Sequence, residues 1–451
     1  MHSNSVVGRA RWAVSSFLAG KRLRHAARKH LARLTVVALG AMLVLASWAG
    51  PASAAPGGSL HSTVLVSAGK SIQAAINAAA PGSTIRVAPG IYKENLWIPK
   101  NGIQLVGAGA GLTVLEPPAA PSAVCGYDPS DPSTAGFVQG ICIANFTITQ
   151  SGPSPITTVT GVHVSGFTIQ GFPNDGIFTV YAADTVLTNN LVVASSGFGI
   201  QDWLTTGTVI SGNVVRAGST LETAGISSNN SSTARILDNT VSGNLDSTQG
   251  SGSDEAGILV SDETGANTVI KGNHSFDNHY GITIRDASSG TVTQNRVDGN
   301  CDGVFVGMSP LGPQEGVTTG NWTISGNIVT GNSRYCPPEA IAPLPGFNFP
   351  AVSGAGITVI GAQNMEVHGN ASLHNVVTTA SGWPGGIAVL STSAFGDHGF
   401  ASPPSNVSAE GNVSYGNAPD LSWDGSGTGI GLSGNACGSS SPVGLCRPQG
   451  Q

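Results

Sequence analysis

An all-β solenoid, built from stacked turns of three short strands each, is the fold class this 451-residue sequence predicts. Two observations carry that expectation. Six asparagine pairs are spaced five residues apart: Asn239/Asn244, Asn273/Asn278, Asn295/Asn300, Asn327/Asn332, Asn370/Asn375 and Asn412/Asn417. A Gly-hydrophobic step recurs with them, at Gly257-Ile258, Gly281-Ile282, Gly303-Val304, Gly356-Ile357 and Gly386-Ile387. From Ile177, Ile200, Ile226, Ile282 and Ile357 the next repeat asparagine lies 13 residues on, and from Asn273 and Asn295 the next step lies 9 on. The unit is therefore 22 residues, a period that marks a solenoid. Each alternating run is too short to find a hairpin partner within its own unit. It must pair with the equivalent run above and below. Stacked side-chain amides at equal positions would then hydrogen-bond along the axis.

The elements follow in order. Eight basic residues between Arg9 and Arg33 precede an apolar run, Leu34 to Ala49, and the small-x-small site Ala52-Ser53-Ala54. Residues 1–54 read as a signal peptide, and 55–64 as a linker. Ser71 to Ala80 predicts a helix, with Ile72, Ala75, Ile76 and Ala79 on one stripe, Ser71 as N-cap and Pro81-Gly82 as the stop. Such a helix covers the open end of a strand stack. Strands are expected at Thr84–Ala88, Tyr92–Ile98 and Ile103–Val106, separated by Pro89-Gly90 and Asn101-Gly102. The solenoid is expected over 65–435, with 436–451 as a tail.

Without residues 1–54 the chain keeps 11 basic and 25 acidic residues, a net charge of −14. That argues against nucleic acid or an anionic membrane as partner. All six cysteines lie beyond the signal, where disulfides persist. Cys437/Cys446, Cys301/Cys336 and Cys125/Cys142 are the expected local staples. The absence of a Cys-x-x-Cys pair argues against zinc or thiol-redox chemistry.

The segment SIQAAINAAAPGSTIRVAPGIYKENLWIPKNGIQLVGAG, together with the repeats, resembles the right-handed parallel β-helix proteins of the pectate-lyase-like superfamily. The resemblance implies a single right-handed parallel β-helix with an N-terminal capping helix; with the signal segment, the expectation is a secreted monomer that binds or processes an extracellular polysaccharide, the alternative being a non-catalytic adhesin or cell-surface binding or structural protein. It does not fix the activity, since the group includes lyases, hydrolases, epimerases, esterases and non-catalytic adhesins. Polygalacturonase motifs are missing. Asp262, Asp286 and Arg285 resemble the adjacent-coil aspartates and nearby arginine of pectin methylesterases. Tyr280-Gly281-Ile282 resembles the start of a mannuronan C5-epimerase motif, but Thr283 and Arg285 stand where that family has Asp and His.

Loop lengths indicate where a site would lie. The gap after the Gly-Ile strand grows from 13 to 23 residues after Val304 and to 25 after Ile387. The gap before it grows from 9 to 30 before Ile357 and to 17 before Ile387. Insertions in a solenoid often border the binding face, so the outer face of the Gly-Ile sheet is the expected groove floor. Register places Gln201, Trp203, Asn229 and Arg285 on that face, with Asn230, Asp262 and Asp286 one place further along. An aromatic plate with amide donors suits a sugar ring, making Gln201, Trp203, Asn229 and Asn230 the candidate substrate-binding residues. Asp262, Asp286 and Arg285 are the candidate catalytic residues, and Asp262, Glu263 and Asp286 are candidate ligands for calcium. A solvated turn with a surface ion pair is the alternative. Asp202 points inward between Thr179 and Ser228, either satisfied by those hydroxyls or rotated out by a turn. His279, His368 and His374 read as turn or surface residues, because a lone histidine has no partner to tune it.

Overall fold

The computed structural model describes residues 62–122, 125, 137–149, 152–217, 224–245, 255–262, 267–309, 317–340, 348–396 and 401–447. The expected signal peptide, and the linker up to residue 61, lie outside these. The described chain winds into three long parallel sheets of 13, 12 and 12 strands. The first runs from Thr63–Val66 to Thr428–Gly431, the second from Gly90–Lys93 to Ala436–Cys437, and the third from Leu96–Ile98 to Ser440–Ser441. Nearly every strand pairs with its equivalents one coil away, so this is the predicted parallel β-helix. The third sheet carries the Gly-Ile steps. The expected strand Tyr92–Ile98 divides into Gly90–Lys93 and Leu96–Ile98, because the chain turns a corner between the second and third sheets. The last coil extends past residue 435 and includes the C-terminal disulfide loop.

Equal offsets in sequence become columns in space. Ile177, Ile200, Ile226, Ile258, Ile282, Val304, Ile357, Ile387 and Leu421 lie in one register and are fully buried. Each such side chain contributes about 1.5–3 kcal/mol of burial. The glycine before the isoleucine is required by the column beside it. A Cβ on Gly281 would run into Val297 and come within 2.9 Å of the Asn300 amide.

The asparagines form two buried ladders. Between the first and second sheets, nine of them, from Asn190 to Asn435, pass an Nδ2–H···Oδ1 bond from coil to coil at 2.9–3.2 Å. Each Oδ1 from Asn213 onward also accepts the backbone N–H of the asparagine below, as Asn295 does from Asn273. Between the second and third sheets the ladder runs Asn244, Asn278, Asn300, Asn332, Asn375, Asn417. Asp420 ends it, accepting both the backbone N–H and the Nδ2–H of Asn417.

The N-terminal end is closed by a helix, Ile72–Ala78, whose Ile72 and Ile76 are buried. Ser71 caps it, accepting from the Ala74 N–H at 3.0 Å. Glu94 binds the N–H groups of Ile72 and Gln73, while Lys100 donates to the carbonyls of Ile76, Asn77 and Ala79. An acid at the N-terminus and a base at the C-terminus match both the unpaired backbone groups and the helix dipole. The three expected disulfides, Cys125–Cys142, Cys301–Cys336 and Cys437–Cys446, are present. Among the described residues no helix is long and apolar enough to cross a membrane.

Removing one rung orphans its neighbours. Asn295→Ala leaves the Asn273 backbone N–H, the Asn273 side-chain amide and the Ile270 carbonyl without this partner. Urea unfolding is expected to show a loss of about 2–4 kcal/mol. The same change at exposed Asn364, in a surface ladder between Asn321 and Asn406, should cost less, about 1 kcal/mol, most of it from the left-handed backbone there (φ 52°).

Candidate functional site

The outer face of the third sheet has the columns that register predicts. Phe178, Gln201, Ser227, Leu259, Thr283, Phe305, Thr358 and Ala388 pair in one column, two residues away from the column of Val180, Trp203, Asn229, Ser261, Arg285, Gly307, Ile360 and Leu390. At the end of each strand the chain turns through the left-handed region, at Tyr181, Leu204, Asn230, Asp262 and Asp286 (φ 48–56°). Asparagine and aspartate tolerate that conformation best among residues with a Cβ, which is why polar groups gather at this corner.

Three zones divide the face. At the N-terminal coils Cys142, Ala144, Phe178 and Val180 form an apolar cluster, with Trp97, Phe146, Tyr181 and Trp203 packed at its edge. At the C-terminal coils a larger aromatic cluster lies outside the helix lumen, where Phe305 on the sheet meets Phe349, Trp383 and Phe395 from the long segments. The insertions were expected to wall a groove along the sheet. In these coils the segments before Ile357, before Ile387 and after Ile387 fold over it instead, burying Phe349, Trp383 and Phe395 in one cluster with Phe305, Ala388 and Leu390, while residues 310–316 of the segment after Val304 lie outside the described residues.

The polar zone lies at the C-terminal ends of the strands Phe198–Trp203, Ala224–Asn229, Ala256–Ser261 and Tyr280–Arg285, whose residues Phe198, Ala224, Ala256, Leu259 and Tyr280 belong to the larger apolar cluster or pack against it. Gln201, Trp203, Asn229, Asn230, Asp262 and Arg285 are all half-buried here. Trp203 stacks on Phe178 of the preceding coil, with centroids 6.4 Å apart and planes at 23°. The Ser227 hydroxyl donates to the Asn229 side-chain oxygen. The Arg285 guanidinium lies 3.7 Å from the Asp262 carboxylate, which also accepts from the Ser261 hydroxyl at 3.0 Å.

Asp286 departs from expectation. It stacks one coil above Asp262, but its carboxylate is fully buried and accepts the Ser309 backbone N–H at 2.9 Å. It pins the segment leaving the next coil. Glu263 lies outside the described residues. Among those described, the one group able to converge on a metal is His279 with Cys301 and Cys336, and these cysteines are joined in a disulfide. Asp202 points inward and is satisfied in part as register suggested: Ser228 donates to it at 3.2 Å, but its shorter partner is Thr205 at 2.6 Å. Burial raises its carboxyl above the usual range, and the hydroxyls oppose that shift.

A second polar group was not foreseen. His368 and His374 are exposed, but His279 is buried, stacked on Tyr280 at 4.7 Å, with Nδ1 3.9 Å from Glu255. Burial pushes the His279 imidazole down to about 4, against the pull of Glu255. Beside Tyr280 on the next coil, buried Asp302 accepts the Trp383 indole N–H at 2.9 Å. Burial pushes its carboxyl up to about 7, and the indole opposes this. The available signal was the aromatic content of the insertions, since rings in long loops seek something to cover.

A scan against family models matches residues 245–441 to the right-handed β-helix region. No curated protein sequence matches the chain. Similar solved structures include the A-module of the mannuronan C-5 epimerase AlgE4 of Azotobacter vinelandii, 18% identical over 82% of this chain and 95% of that one, TM-score 0.44. They include the Dettilon tailspike protein, 14% identical over 83% of this chain and 68% of that one, TM-score 0.48. A lidless DFA-IIIase from Arthrobacter chlorophenolicus A6 is 12% identical over 82% of this chain and 86% of that one, TM-score 0.47. At these identities the likeness is one of fold.

The buried groups set a pH test. A raised carboxyl keeps its proton in the folded state, so the stability linked to Asp302 is highest below pH about 4 and falls until pH about 7. His279 works in the opposite sense, since its contribution is present above its unfolded value and is lost as pH falls towards 4. Asp302→Asn removes only the first effect. The stability of that variant relative to the parent should rise by up to about 4 kcal/mol from pH 4 to pH 7, as read by urea unfolding. A flat difference would mean that Asp302 is ionised throughout. With its columns in register, its amide ladders and its family match, the chain is a right-handed parallel β-helix protein.

Proposed function

We propose that this chain binds or processes an extracellular polysaccharide along the polar zone of the third sheet. One observation supports the reading above the others. Gln201, Trp203, Asn229 and Asn230 stay half-exposed on adjoining coils while the same face on either side is sealed by apolar side chains. Coils about 4.8 Å apart form a track for an extended chain. Trp203 offers a flat apolar surface for a sugar ring, and the amides offer donors and acceptors for hydroxyls. If the protein is catalytic, lyase, hydrolase or esterase chemistry would draw on Asp262 and Arg285, with Asp286 acting from behind. Calcium held by Asp262, Glu263 and Asp286 belongs to the same proposal. Export by residues 1–54 agrees with the three disulfides, which favour an oxidising compartment.

A second reading is a non-catalytic adhesin or cell-surface binding protein. The burial of Asp286 and the pairing of Asp262 with Arg285 favour it, since among the described residues these two no longer form an exposed pair of carboxyls for acid–base work.

Affinity electrophoresis through gels containing single glycans tests both. At least one polysaccharide should retard the protein, and Trp203→Ala should weaken that retardation about tenfold or more. Product release that disappears in Asp262→Asn identifies an enzyme, and binding without products identifies the adhesin. Absence of retardation by every glycan would refute the proposal.

A further inference from the structure

We infer that the glycan taken by this face is uncharged, a neutral sugar chain rather than a polyuronate or a sulfated one. The inference rests on the proposed polysaccharide site and names its substrate class. Arg285 is the one Lys or Arg in all the third-sheet strands. Its guanidinium is held 3.7 Å from Asp262, so its charge is already matched within the protein. The segments joining the third sheet to its neighbours between residues 204 and 404 carry a single basic residue, Arg334, against eleven Asp and Glu. Arg334 is itself paired with Asp277 at 2.9 Å. Two of those eleven acids, Asp286 and Glu255, are buried.

A polyuronate brings one carboxylate per sugar. Recognition of such a chain relies on guanidinium or ammonium groups, or on bridging cations, set along the track. Here several sugar carboxylates would be aligned on an acidic surface inside one Debye length, with no free base to meet them. A neutral ring meets no such penalty. Its apolar face stacks on Trp203, and its hydroxyls both donate and accept. Gln201, Asn229 and Asn230 match that dual character, since a side-chain amide also carries both a donor and an acceptor.

The test is affinity electrophoresis of the mature protein against neutral glycans (dextran, inulin, xylan, galactan) and polyanions (polygalacturonate, alginate). It is run with EDTA and, separately, with calcium. With EDTA, the best neutral glycan should bind at least tenfold more tightly than either polyanion. Its affinity should change less than twofold between about 20 mM and about 500 mM NaCl, since no ion pair is made. Binding of a polyanion in EDTA at least as tight as that of every neutral glycan would overturn the inference and leave the polysaccharide site standing. A polyanion that outranks the neutral glycans only with calcium would overturn it too, and would place the missing positive charge on the metal. Failure of every glycan to bind would remove the site and the inference together.

Discussion

Everything in this molecule depends on the vertical registry that the buried amides impose. A parallel coil can slide along its neighbour, and a slip of one residue would turn every core side chain outward. The ladders forbid that slip. Each asparagine side chain has a coil above and a coil below that must present its partner at the same height. A displaced rung strands several polar groups where no water reaches them. The amide dipoles also point one way along the axis. At the C-terminal end of the second ladder the donors of Asn417 meet a carboxylate, Asp420, which is itself held by the N–H groups of Gly438 and Ser439. A negative charge at the donating end stabilises the whole row, as an acid does at a helix N-terminus.

Once the scaffold is rigid, the outer face of the third sheet becomes a contest between apolar closure and polar exposure. Phe305, Ala388 and Leu390 are apolar positions on a surface, and the long segments supply Phe349, Trp383 and Phe395 to cover them. The middle coils present Gln201, Asn229 and Arg285, and a ring laid on them would have to strip water from amides and a guanidinium. The boundary between covered and open sheet thus follows side-chain chemistry, not loop length.

Ionisable groups trapped by that closure respond in opposite ways. Asp302 accepts the Trp383 indole N–H, and Thr358 also favours its charged form, but burial outweighs both and pushes the carboxyl up to about 7. His279 lies close to Glu255 yet loses more by burial than it gains from that charge. A carboxyl biased towards its neutral form and an imidazole biased the same way can both be buried near Tyr280 at little electrostatic cost.

The periodic part of this protein was legible in the sequence. Asn239 through Asn417 mark the ladders, Ser71 and its apolar stripe mark the capping helix, and an offset of one or three from each isoleucine gives the outer columns correctly. The Cys301–Cys336 pairing followed from the same stacking, and the other two from closeness in the sequence. These features arise from contacts between equivalent positions of successive coils, so a repeat in the text is enough to reveal them. Whatever joins non-equivalent positions was decided by the tertiary structure alone. Asp286 looked exposed at a turn, yet the Ser309 N–H draws it inside. His279 looked like a surface residue until the covering segments enclosed it, and Trp383 reaches Asp302 across 81 residues. Burial of a side chain depends on what another segment places above it, and for irregular loops no period in the sequence states where they will land.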